Sequence, residues 1–139
     1  SAPSYGDIVW GHFPETIGKP GPKPRPVLIL ATCINKGYKH PYATVQCAYG
    51  TSNLKLGKHY TRFHLIIQNT TALNKFRLPQ ATRFDLDKAN VTWLPWSETY
   101  FRPRTGQATP ALSRLDEEYM LKLETIKAVR TVIEAEDDD

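Results

Sequence analysis

The sequence predicts a mainly β, α+β protein: a small curled antiparallel sheet or barrel crossed by one long C-terminal α-helix. Three observations carry that expectation. Short apolar or alternating runs fill residues 6–94. A single apolar stripe at three- and four-residue steps occupies residues 115–133. No βαβ alternation and no Gly-rich phosphate loop interrupts them. A chain of 139 residues suits one domain with a real core. The expected bounds are 1–134, leaving 135–139 as an acidic, disordered tail.

The first strand lies in Gly6-Asp7-Ile8-Val9-Trp10-Gly11-His12-Phe13, with Ile8 and Trp10 inward and Phe13 joining them after a bulge at Gly11. Pro14 to Pro24 holds four prolines and two glycines, a loop long enough to be functional or disordered. Val27 to Thr32 is a continuous apolar run, a strand buried on both faces. Asn35-Lys36-Gly37 and His40-Pro41 mark a turn. Ala43 to Tyr49 then alternates, with Val45, Cys47 and Tyr49 on one side, and Gly50-Thr51-Ser52-Asn53 ends it.

Tyr60 to Ile67 reads as a strand with two unlike faces. Thr61, Phe63, Leu65 and Ile67 share one; Tyr60, Arg62, His64 and Ile66 share the other. Ala81 to Asp85 and Asn90 to Leu94 are two further strands around the turn Asp87-Lys88-Ala89, and Trp93 and Trp96 are core or interface filler. Ser113-x-x-Asp116-Glu117 resembles a helix start. One helix from about Ser113 to about Glu134 would present Leu115, Tyr119, Leu123, Ile126, Val129 and Ile133 to the sheet. Cys33 and Cys47 are too few for a disulfide framework and are expected as buried free thiols. No apolar run reaches bilayer length, so a soluble cytoplasmic protein without a membrane partner is expected.

The formal charge is +4, but five of the fourteen acids fall in residues 134–139, so residues 1–133 carry eighteen bases against nine acids. A basic body suits a polyanionic partner, although positive surface also merely aids solubility. Arg25 is the most informative cation. It stands at the mouth of an all-apolar strand in Lys23-Pro24-Arg25-Pro26, between prolines that stiffen its approach. Its planar fork matches two phosphate oxygens. The competing reading is a solvated strand-end charge.

Gly6-Asp7-Ile8-Val9-Trp10, followed at matching spacing by Arg25-Pro26-Val27-Leu28-Ile29-Leu30, resembles the opening of the PemK/MazF family over residues 6–32. That resemblance implies an SH3-like barrel closed by the helix. It further implies the toxin of a toxin–antitoxin pair, a metal-independent, sequence-specific endoribonuclease. It would cut single-stranded RNA by 2′-hydroxyl attack, work as a homodimer and be blocked by a separate antitoxin protein. No cofactor or metal is expected. The matching positions would make Arg25, Thr51, Arg83 and Asp85 catalytic, with Ser52 replacing Thr51 if the register slips by one. Lys19, Lys23, Ser52, Tyr60, Arg62 and His64 would contact RNA, by charge and by stacking.

Chemistry restrains those roles. RNA cleavage without a metal needs a base for the 2′-hydroxyl, a stabiliser for the crowded phosphorus and an acid for the leaving oxygen. Arg25 stays protonated, which makes it an oxyanion clamp and a poor acid. Thr51 is a hydrogen-bonding group rather than a base. A carboxylate such as Asp85 is a base near neutrality only where its surroundings favour protonation, and an Arg partner favours the opposite. The competing reading of Arg83-x-Asp85 is an ordinary cross-strand ion pair. The family's Kid branch has a His six residues before the strand Arg; here that place is Lys19. The rival function is a non-catalytic binder on the same fold, either a CcdB-like gyrase inhibitor or an RNA-binding module.

Overall fold

The computed structural model describes residues 1–16, 18–37, 39–55 and 63–137. The described residues form seven strands: β1 (Asp7–Gly11), β2 (Arg25–Asn35), β3 (Tyr42–Thr51), β4 (His64–Ile67), β5 (Thr82–Asp85), β6 (Val91–Pro95) and β7 (Ala111–Arg114). Two helices accompany them, α1 (Thr70–Lys75) and α2 (Glu117–Asp137). The strand order is β4-β5-β3-β2-β1-β7, with β6 also on β3, and every pairing is antiparallel. The molecule is a curled antiparallel half-barrel with one long C-terminal helix, the mainly β architecture expected.

Curling follows from local sequence. Leu30 is the extra residue where β2 shifts register against β3, and a second shift lies between Ile8 and Val9 where β1 meets β7. Each such bulge bends a strand and increases its twist. Both faces of the bent sheet are apolar. Ile8, Leu28, Ala48, Phe84 and Leu86 lie in one cluster with Tyr119 and Leu123 of α2; Val9, Val27, Ile29, Val45 and Cys47 lie in another, capped by Phe101. That is why Val27 to Leu30 reads as an unbroken apolar run. Burial pushes the Cys47 thiol up to about 12.

β5 and β6 do not form a hairpin. Both run antiparallel to β3 along the same edge, β6 opposite Thr44 to Ala48 and β5 opposite Gly50 and Thr51. The Asp87-Lys88-Ala89 region is a 3₁₀ turn (Lys88–Asn90) that joins them without reversing the chain.

Several expectations need correction. The β1 irregularity is at Ile8/Val9 rather than Gly11, because it is β7 that supplies the extra residue. Ser113 and Arg114 are strand, since β7 closes onto β1, and the helix starts four residues later than Ser113. Asp116 is the cap: its Oδ1 accepts from the Tyr119 N–H at 3.0 Å. At its other end α2 continues to Asp137, so the tail expected from residue 135 begins as helix. The run of acids that suggested a solvated, disordered tail does not stop the helix before Asp137, although it opposes the dipole there. Val129 is exposed; Arg130 takes the sheet-facing place and donates to the Leu86 carbonyl. Cys33 is exposed, as is Trp93, whereas Trp96 packs under Phe101.

Residues 60–62 of the expected Tyr60–Ile67 strand lie outside the described residues; Phe63, Leu65 and Ile67 share the buried face as their alternation predicts. Helix α1, like strand β7, has no counterpart in the sequence reading. Asn69 starts it, accepting from the Ala72 N–H at 2.8 Å. Among the described residues no helix is long and apolar enough to cross a membrane.

Candidate functional site

Arg25 opens β2, with Gly11 of β1 as its cross-strand partner. Its approach is fastened rather than loose. Gly21 donates its N–H to the His12 carbonyl at 3.1 Å, and His12 Nδ1 lies 3.0 Å from the Gly21 carbonyl. A carbonyl only accepts, so Nδ1 carries the proton. A Cβ at position 21 would stand 2.1 Å from the Phe13 carbonyl oxygen, so only glycine permits this clasp. Further out, Lys19 donates its N–H to the Thr16 carbonyl across a tight turn at Gly18, whose φ is +83°. The Pro-rich loop therefore delivers Arg25 from a fixed approach.

The guanidinium of Arg25 lies 5.9 Å from the Tyr49 ring centroid, and Tyr49 packs on Phe13 at 5.1 Å. Among the described residues no carboxylate pairs with it. Arg25 borders two cavities. One, of about 310 Å³, is lined by Phe13, Pro14, Glu15, Tyr49, Ala89 and Asn90. The other, of about 80 Å³, includes Trp10, Pro24, Thr51, Ser52 and Gln80. Arg25 and the Gly50-Thr51-Ser52 strand end thus share a rim. Gly50 lets the strands converge there, since an added Cβ would sit 2.6 Å from the Thr82 methyl and 3.0 Å from the Pro26 carbonyl oxygen.

The Thr51 hydroxyl oxygen accepts from the Asn53 N–H at 3.2 Å, and Asn53 Oδ1 accepts from the Lys55 N–H at 3.0 Å. Two side chains thereby staple the strand end into successive turns. The Thr51 hydroxyl proton stays available to donate.

Arg83 and Asp85 are differently employed. Thr51 faces Arg83 in register, and His64 faces Asp85. Arg83 Nε donates to Asp85 Oδ1 at 2.9 Å and Nη2 to Oδ2 at 3.2 Å, with side chains only 11% and 5% exposed. Nη1 also donates to the Lys55 carbonyl at 3.1 Å, so Arg83 ties the stapled turn to β5. Neither residue lines either cavity beside Arg25. The pair is a buried, geometrically matched fork.

Of the residues expected to contact RNA, Ser52 is exposed on the rim of the small cavity. Lys19 and Lys23 are exposed on the loop. His64 borders a separate cleft against Leu121, Lys122 and Ile126 of α2. Tyr60 and Arg62 lie outside the described residues. The sequence reading missed a third cavity of about 430 Å³ lined by Trp10, His12, Pro24, Arg102, Pro103, Arg104 and Thr105. A signal for it was present: Arg102-Pro103-Arg104 repeats the basic, proline-spaced pattern of Lys23-Pro24-Arg25. Glu15, beside Arg25 in the larger cleft, was missed as well; only the fold brings it there.

The fold and this rim define a small α+β half-barrel with an arginine unpaired among the described residues and a hydroxyl-bearing strand end at one lip. No family model matches the chain, and no curated protein matches it.

Proposed function

We propose that the protein is a metal-independent endoribonuclease acting on single-stranded RNA, the toxin of a toxin–antitoxin pair in the manner of the PemK/MazF family. The observation that carries this reading is Arg25: a half-buried guanidinium with no carboxylate partner among the described residues, beside the Thr51 hydroxyl. A cation so placed is in no ion pair among the described residues, and Glu15 is the one acid that lines its larger cleft.

In this reading the scissile phosphate sits between Arg25 and Thr51. Arg25 stabilises the negative charge that grows on the non-bridging oxygens as the 2′-oxygen attacks phosphorus. Thr51 donates its hydroxyl proton to one of those oxygens. The bond to the 5′-oxygen breaks and water protonates that oxygen, leaving a 2′,3′-cyclic phosphate and a 5′-hydroxyl end. The cleft of Phe13, Tyr49 and Asn90 is large enough for an unpaired base, with aromatic surface to receive it. Arg83 is a second cation aligned by Asp85, with two of its five N–H groups unassigned among the described residues. Asp85 holds that fork with both carboxylate oxygens, and solvent water takes the 2′-hydroxyl proton. The cytoplasm, a homodimer and a blocking antitoxin belong to the same proposal.

The test is incubation of the purified protein with a long single-stranded RNA in EDTA, followed by end-group analysis. Cleavage giving cyclic-phosphate and 5′-hydroxyl ends is expected. Intact RNA, or cleavage only with added magnesium, overturns the nuclease reading and leaves the non-catalytic binder.

A further inference from the structure

We infer that Arg102 and Arg104, with His12 beside them, form a second phosphate subsite, which holds the strand of single-stranded RNA beyond the phosphate gripped by Arg25. This rests on the proposed function and deepens it by assigning the path of the substrate. The cavity of these residues shares Trp10 and Pro24 with the small cavity of Arg25 and Thr51, so the two are neighbours along one lip of the half-barrel. Two arginines and a histidine line it, and no acid does. Among the described residues neither arginine has a carboxylate partner.

The cations are also held in place. The Arg104 guanidinium lies 5.1 Å from the Trp10 ring centroid, an interaction that fixes the plane of the fork without neutralising it. Pro103 separates the two arginines and removes a backbone donor. The His12 ring is oriented by its Nδ1–H bond to the Gly21 carbonyl, which leaves Nε2 as an acceptor, suited to a ribose hydroxyl of the strand rather than to a phosphate oxygen. The clasp that fastens the Arg25 loop is therefore the one that orients His12. A phosphodiester chain is the ligand this arrangement suits, because it repeats its charge along a line of separated cations. Single-stranded RNA supplies that chain and an unpaired base for the adjoining aromatic cleft.

The test measures binding of a fluorescent, fully 2′-O-methylated single-stranded oligoribonucleotide, which cannot be cleaved by 2′-attack, over a salt series. Wild type is compared with Arg102→Glu, Arg104→Gln, their combination, Arg25→Ala, and Lys122→Glu on α2 as a matched charge reversal. Each arginine variant is expected to bind more weakly. The combination should flatten the dependence of log affinity on log salt by roughly 0.7 for each phosphate it no longer neutralises. Lys122→Glu should stay close to wild type. Arg102 is exposed, so its reversal tests the subsite even if Arg104→Gln disturbs Trp10. Should Arg25→Ala weaken binding while the Arg102 and Arg104 variants match wild type or Lys122→Glu, the subsite is wrong and the proposed function stands. Should wild type fail to bind the strand, both fall.

Discussion

Arg25 and Arg83 stand near the starts of β2 and β5, the two strands that flank the end of β3, and they do opposite work. Arg83 is closed: Asp85 takes its fork, the Lys55 carbonyl takes a third donor, and the pair is nearly sealed from water. Arg25 is open, with an aromatic ring below it and cavities on two sides. Both are strand-end arginines beside residues a nuclease could use. What separates them is the company of a carboxylate. A paired, buried arginine fixes structure, whereas an unpaired one at a cavity is a charge awaiting a ligand.

That contrast breaks first at the closed pair. Arg83→Ala takes the matched fork away from a buried carboxylate and is expected to destabilise the fold by about 3–5 kcal/mol in chemical denaturation. Replacing both Arg83 and Asp85 with apolar residues of similar volume should recover most of that loss. A small effect of Arg83→Ala would mean that the pair is as dispensable as a surface bridge.

A smaller effect is expected where β2, β3 and β5 converge. Gly50→Ala forces a methyl against Thr82, Phe84 and the Pro26 backbone, and should cost about 1–3 kcal/mol of stability, read as a lowered Tm. Because the change lies beside Thr51, it sharpens the comparison if RNA cleavage falls by more than stability does.

The smallest concerns the cap of α2, far from either arginine. Asp116→Ala is expected to cost about 1 kcal/mol, while Asp116→Asn, which still caps, loses only the charge. The Lys75 ammonium and, after it, the Tyr119 N–H hold the Asp116 carboxyl below its ordinary range. The folded form is therefore favoured most fully above the unfolded value of about 3.9, and the gain is lost as pH falls through the lower folded value. Acid unfolding of the wild type should show this small loss; Asp116→Asn should not.

The sheet was legible because alternation and unbroken apolar runs follow directly from which faces are covered. The reversal between β2 and β3 and the strand end around Gly50 were legible from turn chemistry. Helix α1 was not, since six residues make too short a period to stand out and its cap, Asn69, looks like any polar residue. The first residues of the expected C-terminal helix went to β7 because pairing with β1, a distant partner in sequence, overrode local propensity.

At the site, the proline-flanked position of Arg25 was visible in one line of sequence. Its lack of a carboxylate among the described residues and its shared rim with Thr51 were not, because both depend on β2 and β3 meeting. The Arg83–Asp85 ion pair was readable, but as a cross-strand pair; both residues lie on β5 and meet as i, i+2 neighbours on one face. The Trp10, Arg102 and Arg104 cavity joins β1 to residues some ninety positions later, a juxtaposition no local pattern encodes.

The open arginine is best tested by single-turnover cleavage of single-stranded RNA in EDTA, wild type against Arg25→Ala, with Tm measured on both. A drop of about 10²–10³ in rate at unchanged Tm is expected when the transition-state clamp is removed. An unchanged rate, with the protein folded, would contradict a guanidinium acting on phosphorus at the lip of this half-barrel.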